Sequence, residues 1–192
     1  NNGCSVGDTT ASLTNATISG TQEKDGSYSL SSGARNYFAA FDISSEDIIK
    51  HASGTIDIWV YVDTFASGSP VVYAYIDANN VIKLHTITSG TNQFRLTHKA
   101  GGTERAATTA IDGGLAEDTW YHIIAKWDET VHTADYLSVC ADTTNGTTNC
   151  GAGTSALGEW AGTLTSLKIG DPNLVTGIAT FIDSIKIYST WQ

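Results

Sequence analysis

GTIDIWVYVD, Gly54 to Asp63, sets Ile56, Ile58, Val60 and Val62 on one side and Asp57, Trp59, Tyr61 and Asp63 on the other. Strict alternation in β-branched and aromatic side chains predicts one strand of a half-buried antiparallel sheet. The apolar side must face a core. The polar side is either a working surface or a wet one.

The same period recurs further along. In WYHIIAKW, Tyr121, Ile123, Ala125 and Trp127 oppose Trp120, His122, Ile124 and Lys126. In FIDSIKIY, Phe181, Asp183, Ile185 and Ile187 oppose Ile182, Ser184, Lys186 and Tyr188. One side of each is core, and in these two segments the apolar count decides only weakly which. Further short strands are expected, among them 11–18, 71–76, 81–88, 93–98 and 104–107, separated by Gly, Ser, Thr, Asn and Asp turns. Spacings near ten residues are those of an all-β antiparallel jelly-roll β-sandwich. The one helical hint is SSEDIIKH, Ser44 to His51, with a serine cap and Glu46 and Asp47 in the first turn. The chain divides into an N-terminal extension, residues 1–10, and a sandwich domain, residues 11–192.

Composition bounds the function. A net charge of −10 with ten scattered Lys and Arg argues against nucleic acid, whose phosphates demand clustered cations. No apolar run approaches the roughly 18 residues of a membrane span, and the mean hydropathy of −0.10 is that of a soluble protein. The absence of methionine, the two prolines and the abundance of Ser, Thr, Gly and Asn point to a processed extracellular or cell-surface protein.

Three cysteines agree with that compartment. Cys140 and Cys150 flank ADTTNGTTN, and a three-residue loop ending on a left-handed Gly146 would put them opposite each other. A disulfide there would pin the hairpin, although three cysteines allow three pairings. Cys4 is then left as a free thiol or a link to another chain. No C-x-x-C or Cys/His spacing suggests a metal.

The order of elements resembles the laminin-G-like jelly-roll domains of the concanavalin A-like lectin/glucanase superfamily. The matching points are Trp59 in the early strand, Trp120 and His122 at a W-x-H strand start, Ile169-Gly170, and Asp183 with Tyr188 in the final strand. The likeness runs from about Ala11 to Tyr188. It departs at YLSVCADTTNGTTNC, where relatives carry a shorter hairpin, so no ligand surface beside that hairpin transfers. The resemblance implies a binding or structural module, and fold analogy alone does not choose between them.

The resemblance also implies a structural Ca²⁺, with Asp25 of the DGSYS turn and Asp183 as carboxylate ligands and Asp8 or Asp42 as helpers. Oxygen ligands of this kind suit Ca²⁺. The bland alternative is that Asp183 hydrogen-bonds a neighbouring loop. Hydrolysis of a glycosidic bond needs two carboxyls about 5–9.5 Å apart, and no E-x-D pair supplies them within one strand. Sugar binding asks for exposed aromatic faces beside groups that fix hydroxyls. Trp160 in GEWAG, with Glu159, is the aromatic expected to face solvent, either as a ligand platform or as a packed loop. Tyr73 and Tyr75 alternate with apolar neighbours, and His85 and Arg95 fall on the following strands. Trp59, Trp120 and Trp127 are expected in the core or at its edge.

The expected function is therefore non-catalytic extracellular recognition of a glycan or other surface ligand. A second reading is a self-assembling subunit of a filament, surface layer or virion, joined through the N-terminal segment or Cys4. A glycan-processing enzyme is the third. Asn15 and Asn145 stand in glycosylation sequons.

Overall fold

The fold comes from a computed structural model that describes residues 5–6, 9–33, 36–44, 49–110, 113–130, 136–160, 163–172 and 180–192. In chain order the strands are β1 (Ser5–Val6), β2 (Thr9–Thr10), β3 (Ser12–Thr14), β4 (Thr17–Ser19), β5 (Ser29–Ser32), β6 (Tyr37–Asp42), β7 (Ser53–Val62) and β8 (Pro70–Asp77). There follow β9 (Asn80–Ile87), β10 (Gln93–Ala100), β11 (Thr103–Thr108), β12 (Thr119–Asp128), β13 (Leu137–Asp142), β14 (Gly151–Gly153), β15 (Ser166–Asp171) and β16 (Thr180–Tyr188). They form two seven-stranded antiparallel sheets. Sheet I runs β11-β10-β9-β8-β15-β6-β3, and sheet II runs β14-β13-β12-β7-β16-β5-β4. The short β1 and β2 pair with each other and join neither. Among the described residues there is no helix; residues 45–48 of the expected Ser44–His51 helix lie outside them.

The core lies between the sheets and follows the alternation. Ile56, Ile58, Val60 and Val62 of β7 and Ile123, Ala125 and Trp127 of β12 are fully buried. They meet Val72, Ala74, Leu84, Leu96 and Leu167 of sheet I in one cluster. Gly54 shows how tight the packing is. It stands opposite Trp127 in the ladder, and a Cβ there would lie 2.2 Å from the indole. Only glycine fits at this strand position, because the Trp127 ring occupies the side-chain space. The indole N–H is also satisfied, donating to the Lys50 carbonyl at 2.9 Å.

Two expected segments depart from simple alternation. Residues 11–18 do not make one strand. Asn15 adopts φ 54°, and its side chain donates to the Asn36 carbonyl, so β3 adds to sheet I and β4 to sheet II. In β16 the register shifts between Asp183 and Lys186, with Ser184 at φ 48°. This bulge puts Phe181, Asp183, Lys186 and Tyr188 on the outer face and Ile182 and Ile187 on the inner. Neither alternating set of FIDSIKIY is therefore the core set on its own.

Cys140 of β13 and Cys150, just before β14, form a disulfide with Cα atoms 4.0 Å apart. The pairing matches expectation, but the turn does not. Gly146 is not left-handed; Asn149 is, at φ 54°. Asp142 shapes the loop instead, accepting from the Thr144 amide and hydroxyl, each at 2.7 Å, and from the Thr148 hydroxyl. These donors hold its carboxyl down at about 2.

Candidate functional site

The outer face of sheet I gathers most of the residues expected to bind a ligand. Tyr73 and Tyr75 of β8 alternate with core-facing Val72 and Ala74, so both rings point outward. Their centroids are 5.1 Å apart. In the ladder Tyr73 is paired with Lys83 on β9 and Lys168 on β15, while His85 is paired with Arg95 on β10. Tyr73, Tyr75, His85 and Arg95 thus share one face. Trp160 and Glu159 do not join them.

Cations dominate this face. Lys168 lies over the Phe38 ring at 4.8 Å and the Tyr75 ring at 5.2 Å, a cation–π arrangement. Lys83, Arg95 and Lys99 line the adjoining strands in the same outward register. Arg95 donates to Glu104 at 3.2 Å, and Lys99 donates to the Ala78 carbonyl at 2.7 Å. Partial burial lowers the Lys83 pKa; nearby Glu104 opposes that shift, while Arg95 and Lys99 reinforce it. Tyr73 is pushed up by burial and by its neighbour Tyr75.

His85 lies beneath this surface rather than on it. It is only 6% exposed, and its Nε2 is 3.1 Å from the Thr97 hydroxyl. Burial, then Lys83 and Arg95, lower its pKa to about 3. The ring is neutral over the ordinary pH range and serves as a fixed polar support under the cations.

Trp160 corrects an expectation. The ring expected to face solvent is 6% exposed, stacked on His51 at 5.5 Å and tilted against His98 at 5.4 Å. His98 reaches this place from the inner side of β10, and its Nε2 is 3.1 Å from the His51 carbonyl. Glu129 completes the group, with its carboxylate 3.3 Å from His51 Nδ1 and 3.5 Å from His98 Nε2. A short polar loop sequence hid an indole that closes the end of the core. Glu159 beside it is exposed.

The two carboxylates expected to bind Ca²⁺ do come together. Asp183 Oδ2 accepts the backbone N–H groups of Lys24 at 3.0 Å and Asp25 at 2.9 Å, and Oδ1 accepts the Ser184 amide at 2.7 Å. The Ser184 hydroxyl is 3.4 Å from Asp25. The Asp183 oxygens that a Ca²⁺ would need are taken up by backbone amide hydrogens. Asp42 accepts from the amide and hydroxyl of Ser44. Among the described residues no three His, Cys, Asp or Glu side chains are grouped to hold a metal. These residues do not fit the ion as placed. Asp8 and Cys4 lie outside the described residues.

Lys83, Lys99, Lys168 and Phe38 escaped sequence reasoning. Each sits at an outward position of its own strand, but only the cross-strand register shows that they share a patch.

No protein-family model matches the chain, and no curated protein matches it in sequence. Solved structures do share its fold. The receptor-binding domain of botulinum neurotoxin mosaic serotype C/D is 12% identical over 95% of this chain and 43% of that one, with a TM-score of 0.65. The botulinum neurotoxin type G receptor-binding domain is 9% identical over 95% and 43%, with a TM-score of 0.64. Trypanosoma rangeli sialidase is 16% identical over 95% and 27%, with a TM-score of 0.60. The chain spans less than half of each of these proteins. At such identities the likeness is one of fold: an all-β sandwich.

Proposed function

We propose that residues 11–192 form a laminin-G-like, extracellular, non-catalytic module that binds an acidic glycan on the outer face of sheet I. One observation carries the reading. In a chain of net charge −10, four of the ten Lys and Arg residues stand on one sheet face beside two tyrosines. Sugar rings lay their C–H faces on aromatic rings. Carboxylate or sulfate groups on those rings would pair with Arg95, Lys83, Lys99 and Lys168, with Arg95 suited to bidentate contact.

Two further facts support it. The Cys140–Cys150 disulfide suits an oxidising, extracellular compartment. The shared fold includes domains named for receptor binding, although it also includes a sialidase. Fold alone does not decide activity.

Calorimetric titration with an oligogalacturonate and with its carboxyl-reduced form tests the reading. The acidic form should bind more tightly, and its affinity should fall as salt rises. Arg95→Ala and Lys168→Ala should each weaken it roughly tenfold or more, as expected for loss of a charged hydrogen bond. Equal binding of the two forms would sink the proposal.

A further inference from the structure

The outer face of sheet II is built from different chemistry. Phe181, Tyr61 and Trp120 stand side by side on β16, β7 and β12. The Tyr61 ring lies 5.7 Å from Trp120 at 60° and 5.9 Å from Phe181 at 72°. All three rings are part-buried, leaving some surface open to water. Rings tilted this far cannot lie flat together under one sugar. They form an uneven aromatic row rather than a flat platform.

Carboxylates flank the row at one end. The pairing of Thr119 with Val62, continued by the Asp118 amide donating to the Val62 carbonyl, brings Asp118 opposite Asp63. Like charges placed opposite each other across strands destabilise a sheet. Desolvation first, then the neighbouring Asp118 and Glu117, push the Asp63 carboxyl up. Asp118 also accepts the Tyr61 hydroxyl at 3.1 Å, tying the carboxylates to the central ring. A local conflict of this kind, with no return in packing, marks a surface shaped by something other than folding.

The next row shows what such a surface holds. Lys24 places its ammonium 3.9 Å from the Trp59 ring centroid, while its backbone N–H bonds the Asp183 carboxylate. Trp59 in turn stacks on His122, which is fixed by Asp57 at 2.8 Å. An ammonium on an indole beside a carboxylate is therefore an arrangement this face already uses internally. In the Phe181–Tyr61–Trp120 row, none of the chain's own ammonium groups is placed over the rings among the described residues.

We infer that the Phe181–Tyr61–Trp120 row, flanked by Asp63 and Asp118, binds the methylated ammonium group of a small organic cation. Aromatic faces attract cations through the ring quadrupole. They replace the water of a primary ammonium poorly, because a ring is a weak partner for its N–H groups. A quaternary ammonium has no N–H to satisfy, and the carboxylates supply long-range attraction. The flanking acids also repel the anionic ligand proposed for sheet I, so the two faces take different guests.

Choline is the probe, followed by the tryptophan fluorescence of the intact protein. The controls are methylamine and 3,3-dimethylbutan-1-ol, which has choline's shape without its charge. Choline should saturate the signal, and the neutral alcohol and methylamine should each bind at least roughly tenfold more weakly. Trp120→Ala should weaken choline by about the same factor. The double variant Asp63→Asn with Asp118→Asn should also weaken it; because it relieves repulsion, it puts folding at no risk. Arg95→Ala should leave choline binding unchanged, which separates this site from the glycan face. Equal affinity for choline and the neutral alcohol would reduce the row to an apolar patch and overturn the inference. No saturable choline signal, or affinity unchanged in both variants, would overturn the inference.

Discussion

The inner faces of the two sheets are nearly interchangeable, while their outer faces differ in kind. Inside, both are layers of Ile, Val, Leu and aromatic side chains. Outside, sheet I presents Lys83, Arg95, Lys99 and Lys168 around two tyrosines, whereas sheet II presents a tilted aromatic row with Asp57, Asp63, Asp118 and Asp183 beside Lys126 and Lys186. A strand's period of two lets one residue in every pair serve the core and frees the other. Folding constrains the first kind narrowly. The second kind carries the difference between the faces, so function is to be sought there.

The histidines give the sharpest way to break this comparison. His122 on sheet II is hydrogen-bonded to Asp57, a carboxylate. His85 on sheet I is buried among cations, and its pKa falls from 6.5 to about 3. Its neutral form is the one the fold accepts. The unfolded chain takes up the proton near pH 6.5, the folded chain only near 3. The contribution of His85 is complete above the higher value and is lost as pH falls through that window, on the order of 5 kcal/mol in all. His98, lowered to about 4 mainly by burial, adds to the same acid limb. Urea unfolding at pH 7 and pH 4 should show the decline, and His85→Gln should flatten part of it. A wild-type stability that is level across this range would show that His85 is not held neutral.

A smaller effect is expected at the edge of sheet II. β14 has three residues, two of them glycines packed so closely against β11 that a Cβ on Gly151 would sit 1.6 Å from the Thr108 carbonyl oxygen. The disulfide to β13 closes a ten-residue separation. Replacing both cysteines with serine should cost about 2–3 kcal/mol by loop-closure entropy. Hydrogen exchange should quicken at 151–153 while oligosaccharide binding on sheet I stays the same. Loss of that binding would mean that the two faces are not independent.

Much of this molecule was legible in sequence where period two holds without interruption. GTIDIWVYVD and the Tyr121, Ile123, Ala125, Trp127 set occupy the faces that alternation implies. It fails where one residue leaves the extended conformation: at Asn15, which turns one expected strand into two, and at Ser184, whose bulge switches the faces of FIDSIKIY. Gly151–Gly153 carries no side-chain pattern that would mark a strand, although close approach to β11 is what its glycines serve. Trp160 misled for the opposite reason. Its neighbours in sequence are small and polar, but its neighbours in space are His51 and His98. The candidate site was half visible. Tyr73, Tyr75, His85 and Arg95 each signal an outward or polar position within a strand, but the cationic patch exists only through the registers of β8, β9, β10 and β15.

Asp183 sets the smallest test, and it bears on what holds the sheet II face in shape. Its carboxylate accepts three backbone amides, two of them from the Lys24–Asp25 turn. That turn also places Lys24 over Trp59. If the amides are the partners the carboxylate needs, Asp183→Asn replaces one acceptor oxygen with a donor that meets N–H groups head-on. The expected cost is about 1–3 kcal/mol, the range for a hydrogen bond to a charged group. Freed from the turn, Lys24 should leave Trp59, and the tryptophan fluorescence should change with it. Added Ca²⁺ or EDTA should leave the Tm of the wild type where it is, because backbone N–H groups already take up the Asp183 oxygens that the ion would need. A Tm that rises with Ca²⁺ and falls back in EDTA, in the wild type but not in Asp183→Asn, would replace the anchor with an ion site and would require those amides to release the carboxylate.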